Sequence, residues 1–153
     1  ITELHYRIGG AYHRAVSHTR HDSYDYILFV PWLVSGGADS FAINYANATA
    51  KYNKNKKVLV VATMPGGAES VWRNKLSDDI DFIPLNDIFT SYSLEPENQN
   101  RLIEQLIENS HATHLHILNS IAGYDFIRKH KKYLDSTNIK VIFTSFTEST
   151  DET

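Results

Sequence analysis

The residues best suited to chemistry follow an apolar run. Tyr26–Trp32 leads through Leu33 and Val34 into Ser35-Gly36-Gly37, with Asp39 two residues further on. Strand formers, a small-residue loop and a helical pattern, in that order, aim unpaired backbone N–H groups and the positive end of a helix dipole at one point. Such a loop receives a phosphate or a sugar hydroxyl without a charged side chain. Gly36 and Gly37 remove side chains where a ligand approaches and permit positive φ. The plain alternative is a tight turn that simply needs glycine. Asp39 falls in the first helical turn, where a carboxylate gains roughly 0.3–1 kcal/mol from the dipole. Its functional reading is an acceptor for a ligand hydroxyl.

A second group lies at His114-Leu115-His116-Ile117-Leu118-Asn119-Ser120, with Gly123 and Tyr124 just beyond. In a strand, His114 and His116 share a face. No third ligand of suitable spacing accompanies them, so no metal is expected. His116 is nearer the strand end that meets ligands, and is the better candidate for proton chemistry or orientation. Either Asn119 or Ser120 is a natural helix N-cap. The other is expected to project into a crevice with Tyr124, small polar groups that suit sugar or nucleotide recognition. Gly66-Gly67 with Glu69 resembles a second copy of the glycine loop, although turn chemistry explains it. Trp72 is read as a lid over the sheet edge. The run Arg128-Lys129-His130-Lys131-Lys132 reads as a solvated helix face, with peripheral contact to an anionic membrane surface as the alternative.

The elements that position these groups alternate. Tyr26–Trp32, Lys57–Thr63, Asp81–Leu85, His114–Leu118 and Lys140–Phe146 read as strands, the near-continuous apolar ones buried on both faces. Helices are expected over Ala38–Asn53, Glu69–Leu76, Glu97–Asn109 and Ile121–Leu134, with a loop through Ser91–Pro96. Residues 1–24 carry Gly9-Gly10 and little periodicity, and are taken as a lead-in packed on the domain formed by 25–153. Right-handed βαβ crossovers then give an α/β fold, a Rossmann-like doubly wound parallel sheet of about five strands with helices on both faces. The expected strand order is 3-2-1-4-5. Ligands in such sheets sit at the carboxyl ends of the strands where winding reverses, here between strands one and four. Ser35-Gly36-Gly37 and Asn119-Ser120 should face each other there.

Composition narrows the rest. A chain of 153 residues with net charge −3 suits one soluble domain and argues against a nucleic-acid surface, which needs a concentrated basic face. Cysteine is absent, which removes disulfides and thiolate metal sites. The G-x-G-x-x-G fingerprint and the Walker pattern are missing. Residue 1 is isoleucine and Met64 is the only methionine, as expected of a piece of a longer chain.

Taken together, Val30-Pro31-Trp32-Leu33, Ser35-Gly36-Gly37-Ala38-Asp39, Val58–Thr63 and His116–Ser120 with Gly123-Tyr124 resemble the amino-terminal half of family 4 retaining glycosyltransferases. The resemblance runs from about Tyr24 to Phe146. It implies one of two Rossmann-like domains facing across a cleft, this one holding the acceptor, with the donor-binding carboxy-terminal domain absent from the chain. It also implies a nucleotide-sugar donor, a glycan or lipid-linked acceptor, no metal or other cofactor, and work in the bacterial cytoplasm, at or near the inner face of the membrane. By the same resemblance, Gly36 and Gly37, with Ser35 and Asp39, lie beside the donor diphosphate. His116, Asn119, Ser120 and Tyr124 lie with the sugars. The family's His-x-His at this strand end reads His116-Ile117-Leu118 here, and its paired glutamates belong to the other domain. A stand-alone nucleotide-binding module and a non-catalytic scaffold of the same fold are the rival readings.

Overall fold

Residues 3–53 and 55–145 are described in the computed structural model of the chain. Five parallel strands form one sheet in the order β3-β2-β1-β4-β5. They are β1 (Tyr26–Val30), β2 (Val58–Ala62), β3 (Asp81–Pro84), β4 (His114–Leu118) and β5 (Lys140–Thr144). In β2 every residue is buried, as β-branched side chains covered on both faces require. The architecture is a Rossmann-like doubly wound α/β fold.

The alternation of side chains divides the core. Ile27, Phe29, Leu59, Val61, Ile83, Leu115 and Ile117 point to one face. That face is covered by α1 (Glu3–Val16), α3 (Leu85–Ser91), α4 (Pro96–Ser110), α5 (Ile121–Lys129) and α6 (Lys131–Asp135). Leu28, Val30, Val58, Val60 and Leu118 point to the other, where α2 (Gly37–Tyr52) supplies Ala42, Ile43, Ala46 and Ala50. Pro96 at the start of α4 and left-handed His111 (φ 55°) after its end bound the most regular helix of the chain.

Several elements differ from expectation. The lead-in is a helix, and its Ala11 and Ala15 are fully buried in the larger core cluster. Gly10 sits in that helix because a Cβ there would come within 2.6 Å of the Tyr92 ring, so a close packing contact, not a turn, explains it. The segment expected as a helix after β2 is a pair of short 3₁₀ turns, Gly67–Glu69 and Val71–Lys75. Trp72 within it is half-buried against the α2 side of the core, with the Lys75 ammonium 3.7 Å from its ring centre. Helix α3 follows β3 directly. The last helical stretch breaks at His130, whose ring stacks on Phe126 and whose Nε2 lies 3.4 Å from Glu104. Strand β5 ends at Thr144, and Phe146 lies outside the described residues.

An ionic knot ties the lead-in to the sheet edge. The Tyr24 hydroxyl donates to Asp81, and Arg20 reaches the same carboxylate through its backbone N–H and its guanidinium. Burial works to raise the Asp81 pKa, but the hydrogen bonds from Tyr24 and Arg20 outweigh it and hold the carboxyl below its ordinary value.

Candidate functional site

The chain leaves β1 at Val30 and turns through residues 31–36 into α2. The turn is organised from inside by Asp39, a buried residue in the first turn of the helix. Its Oδ2 accepts the backbone N–H groups of Val34 (2.8 Å) and Ser35 (3.0 Å). Asp39 therefore holds the loop in shape, and that oxygen is spent on the backbone rather than on a ligand hydroxyl. From the other side, the Ser70 hydroxyl accepts the Leu33 N–H (3.0 Å), and the Trp72 N–H donates to the Leu33 carbonyl (2.9 Å).

What this clamp presents is a bare helix start. Gly36 takes φ 100°, a conformation that side chains avoid, and no side chain caps the first N–H groups of α2. Gly37 is different. Its φ is ordinary for any residue, and a Cβ built on it would meet nothing within 4 Å. Ser35, Gly36 and Gly37 are exposed. The open space over Gly37 lies at the positive end of a 16-residue helix.

Across from it, β4 ends in two residues that divide the roles left open by the sequence. Ser120 is the cap: its Oγ accepts the Gly123 N–H at 3.0 Å. The same oxygen lies 2.7 Å from Thr63 Oγ1, and Thr63 spends its own proton on the Val30 carbonyl at 3.0 Å. Ser120 must then be the donor of that pair. Fully buried, it stitches the ends of β1, β2 and β4 together and does not reach a ligand. Asn119 is the residue that turns outward. It adopts left-handed φ 54°, its backbone N–H donates to Thr144, and it lines a small crevice with Pro31, Ala38 and Asp39. The β1 and β4 loops thus meet at the switch point. The crevice itself encloses about 10 Å³, room for about one water. A sugar or diphosphate would therefore rest on its rim, over Gly37.

Two expected residues sit elsewhere. His116 is buried under α2, its ring edge-on to Tyr45 at 4.4 Å, and is absent from the crevice wall. Its Nε2 lies 2.8 Å from Thr144 Oγ1, while Nδ1 is buried without a hydrogen-bond partner among the described residues. An unpaired acceptor is cheaper to bury than an unpaired N–H, so the proton belongs on Nε2, pointing at Thr144. Burial also lowers the His116 pKa and keeps the ring neutral. Its role is to join β4 to β5 and to seat α2. Tyr124 stacks on Phe143 (ring centres 5.5 Å apart) towards β5 and is not in the crevice wall either. Thr63 and Ser70 went unread in the sequence. The signal for Thr63 was there, a hydroxyl closing a fully apolar strand.

The remaining motifs have local explanations. Gly66 is left-handed (φ 82°), a Cβ on Gly67 would press Ala62 at 2.8 Å, and Asp87 caps the turn through the Gly66 and Ala68 N–H groups. In the basic run, Arg128 and Lys129 pair with Asp125 and Lys131 with Asp135. Among the described residues no group of histidines and carboxylates is placed to hold a metal, and no helix is long and apolar enough to cross a membrane.

One further property of this end of the sheet concerns its surface. Trp32, Val34, Phe41, Val71 and Ile121 are large apolar residues, all exposed, on the loops and helix starts that follow β1, β2 and β4. Compared with protein-family models and with curated proteins, the chain matches none.

Proposed function

We propose that the chain is the acceptor-side domain of a retaining glycosyltransferase that moves a sugar from a nucleotide-sugar donor to a glycan or lipid-linked acceptor in the cytoplasm. One observation carries the reading: an uncapped helix start at the switch point, open above Gly37 although the fold itself does not need glycine there. Backbone N–H groups at a helix start favour an anion without the desolvation that a buried lysine or arginine would cost. Charge developing on a departing nucleoside diphosphate meets them preorganised. Asn119 supplies a side-chain amide across the crevice, able to donate to and accept from sugar hydroxyls. The exposed Trp32, Val34, Phe41, Val71 and Ile121 suit a second domain closing over the site and excluding water. On this reading the isolated chain binds a nucleotide sugar only weakly, because most donor contacts lie in the other domain.

The crevice volume of about 10 Å³ favours the rival reading, a scaffold of the same fold that takes no ligand. Calorimetric titration with UDP-glucose, for the chain as it stands and for Gly37→Val, separates the two. The glycosyltransferase reading predicts a dissociation constant on the order of millimolar that Gly37→Val abolishes in a folded protein. Equal binding by both proteins, or none by either, rejects it.

A further inference from the structure

At the other end of the strand order, beside β3, lies a second concavity of about 560 Å³. Arg14 and His18 reach it from the end of α1 and the turn that follows, Arg73 from the second 3₁₀ turn, and Asp87 and Tyr92 from α3 and its C-terminal end. These residues are far apart in sequence, and no secondary-structure rule requires their convergence.

The charge balance of this pocket is unusual for the molecule. Arg20, Arg128, Lys129 and Lys131 all pair with carboxylates. Among the described residues, neither Arg14 nor Arg73 has a hydrogen bond or ion pair through its guanidinium. The two act together on one neighbour: His18 is held below its ordinary pKa by burial first, then by Arg14 and Arg73. Asp87 is the sole carboxylate of the lining, and both its oxygens are taken by the N–H groups of Gly66 (3.0 Å) and Ala68 (2.7 Å). Like charges facing a shared cavity repel, and a multiply charged anion between them removes that cost. Guanidinium forks match the oxygens of a phosphate group. Pro84, Ile88 and the Tyr92 ring give the same pocket an apolar wall, which free phosphate would leave unused.

We propose that this pocket binds a small soluble phosphate monoester, with Arg14 and Arg73 gripping the phosphate, His18 as a further donor, and the carbon skeleton against Tyr92. The site is separate from the β1–β4 crevice and holds whether or not the chain belongs to a glycosyltransferase.

Titrating the protein with glucose 1-phosphate, and with glucose as the uncharged control, tests this by calorimetry. Binding of the ester and not of glucose is expected. Arg14→Gln and Arg73→Gln should each weaken it about tenfold, the worth of one charge-assisted contact. Arg128→Gln, a cation elsewhere on the surface, should leave it unchanged. All three positions are exposed, so circular dichroism should show every variant folded. Failure of the ester to bind, or an equal loss in Arg128→Gln, overturns the site. Vesicles of phosphatidylcholine with phosphatidic acid complete the test: capture by these vesicles without binding of the soluble ester assigns the pocket to a lipid headgroup and overturns the proposal as stated.

Discussion

Replacing Ser120 by alanine removes a single oxygen from the fully buried ends of three strands, and the consequences can be worked from its contacts. The first is loss of the cap on the Gly123 N–H (3.0 Å), which costs about 1 kcal/mol. The second is loss of the 2.7 Å bond to Thr63, worth about 1 kcal/mol. Thr63 keeps its bond to the Val30 carbonyl, so no donor is orphaned on that side. Gly123 has no such alternative, and a buried unpaired N–H carries a penalty of about 1–3 kcal/mol that overlaps the cap term. Alanine leaves almost no cavity, so the total is about 2–3 kcal/mol. For a chain of this length that lowers Tm by about 5–10 °C. Urea unfolding followed by circular dichroism should show the midpoint falling with an unchanged slope. Asn119→Gly is the matched control, because glycine accepts φ 54° freely and that side chain faces the crevice. Its stability should change by less than about 0.5 kcal/mol. A Ser120→Ala protein as stable as the original, or an Asn119→Gly protein as damaged as Ser120→Ala, would refute the division of roles.

Other consequences follow from the same geometry. Gly9 and Gly10 are adjacent in α1, yet a Cβ meets nothing within 4 Å at Gly9 and the Tyr92 ring at 2.6 Å at Gly10. Gly9→Ala should therefore stabilise by about 0.5–1 kcal/mol, whereas Gly10→Ala should destabilise by about 1–3 kcal/mol, both read by thermal unfolding. Burial first, then its hydrogen bond to Asp81, pushes the Tyr24 hydroxyl up to about 12 from 10.0. This group favours the folded state fully below pH 10 and loses that contribution as pH rises towards 12. Tyr24→Phe should flatten stability over that window. The depressed Asp81 carboxyl acts at the opposite limb: its contribution is complete above its ordinary value of 3.8 and fades as pH falls through the lower folded value. Asp81→Asn should make acid unfolding less steep, followed by tryptophan fluorescence against pH.

The sheet was legible because its strands are covered on both sides. Residues such as Val58–Ala62 leave no polar face to confuse with a helix, and the crossovers between them impose the order β3-β2-β1-β4-β5. Helix α1 was hidden by its glycine pair, since local signals treat two glycines as a break while Tyr92, distant in sequence, decides the matter. Helix α3 was hidden by starting at the last residue assigned to the strand, without a side-chain cap to announce it. At the crevice, the sequence located the loops but not the direction of each side chain. Whether Asn119 or Ser120 caps depends on which takes positive φ, and the partner that fixes Ser120 is Thr63 on another strand. His116 and Thr144 are likewise 28 residues apart. Arg14 and Arg73 meet only because α1 folds back over the β3 edge, so no motif spacing announces the second pocket.

The central claim concerns the rim above Gly37, and backbone amide NMR shifts during a UDP-glucose titration test it most directly. Saturating shifts at Gly36, Gly37, Ala38 and Asn119, with the amides around His116 and Tyr124 little changed, are the predicted result. No shift at those four amides, or shifts confined to another face of the sheet, would contradict the assignment of the β1–β4 crevice as the ligand site.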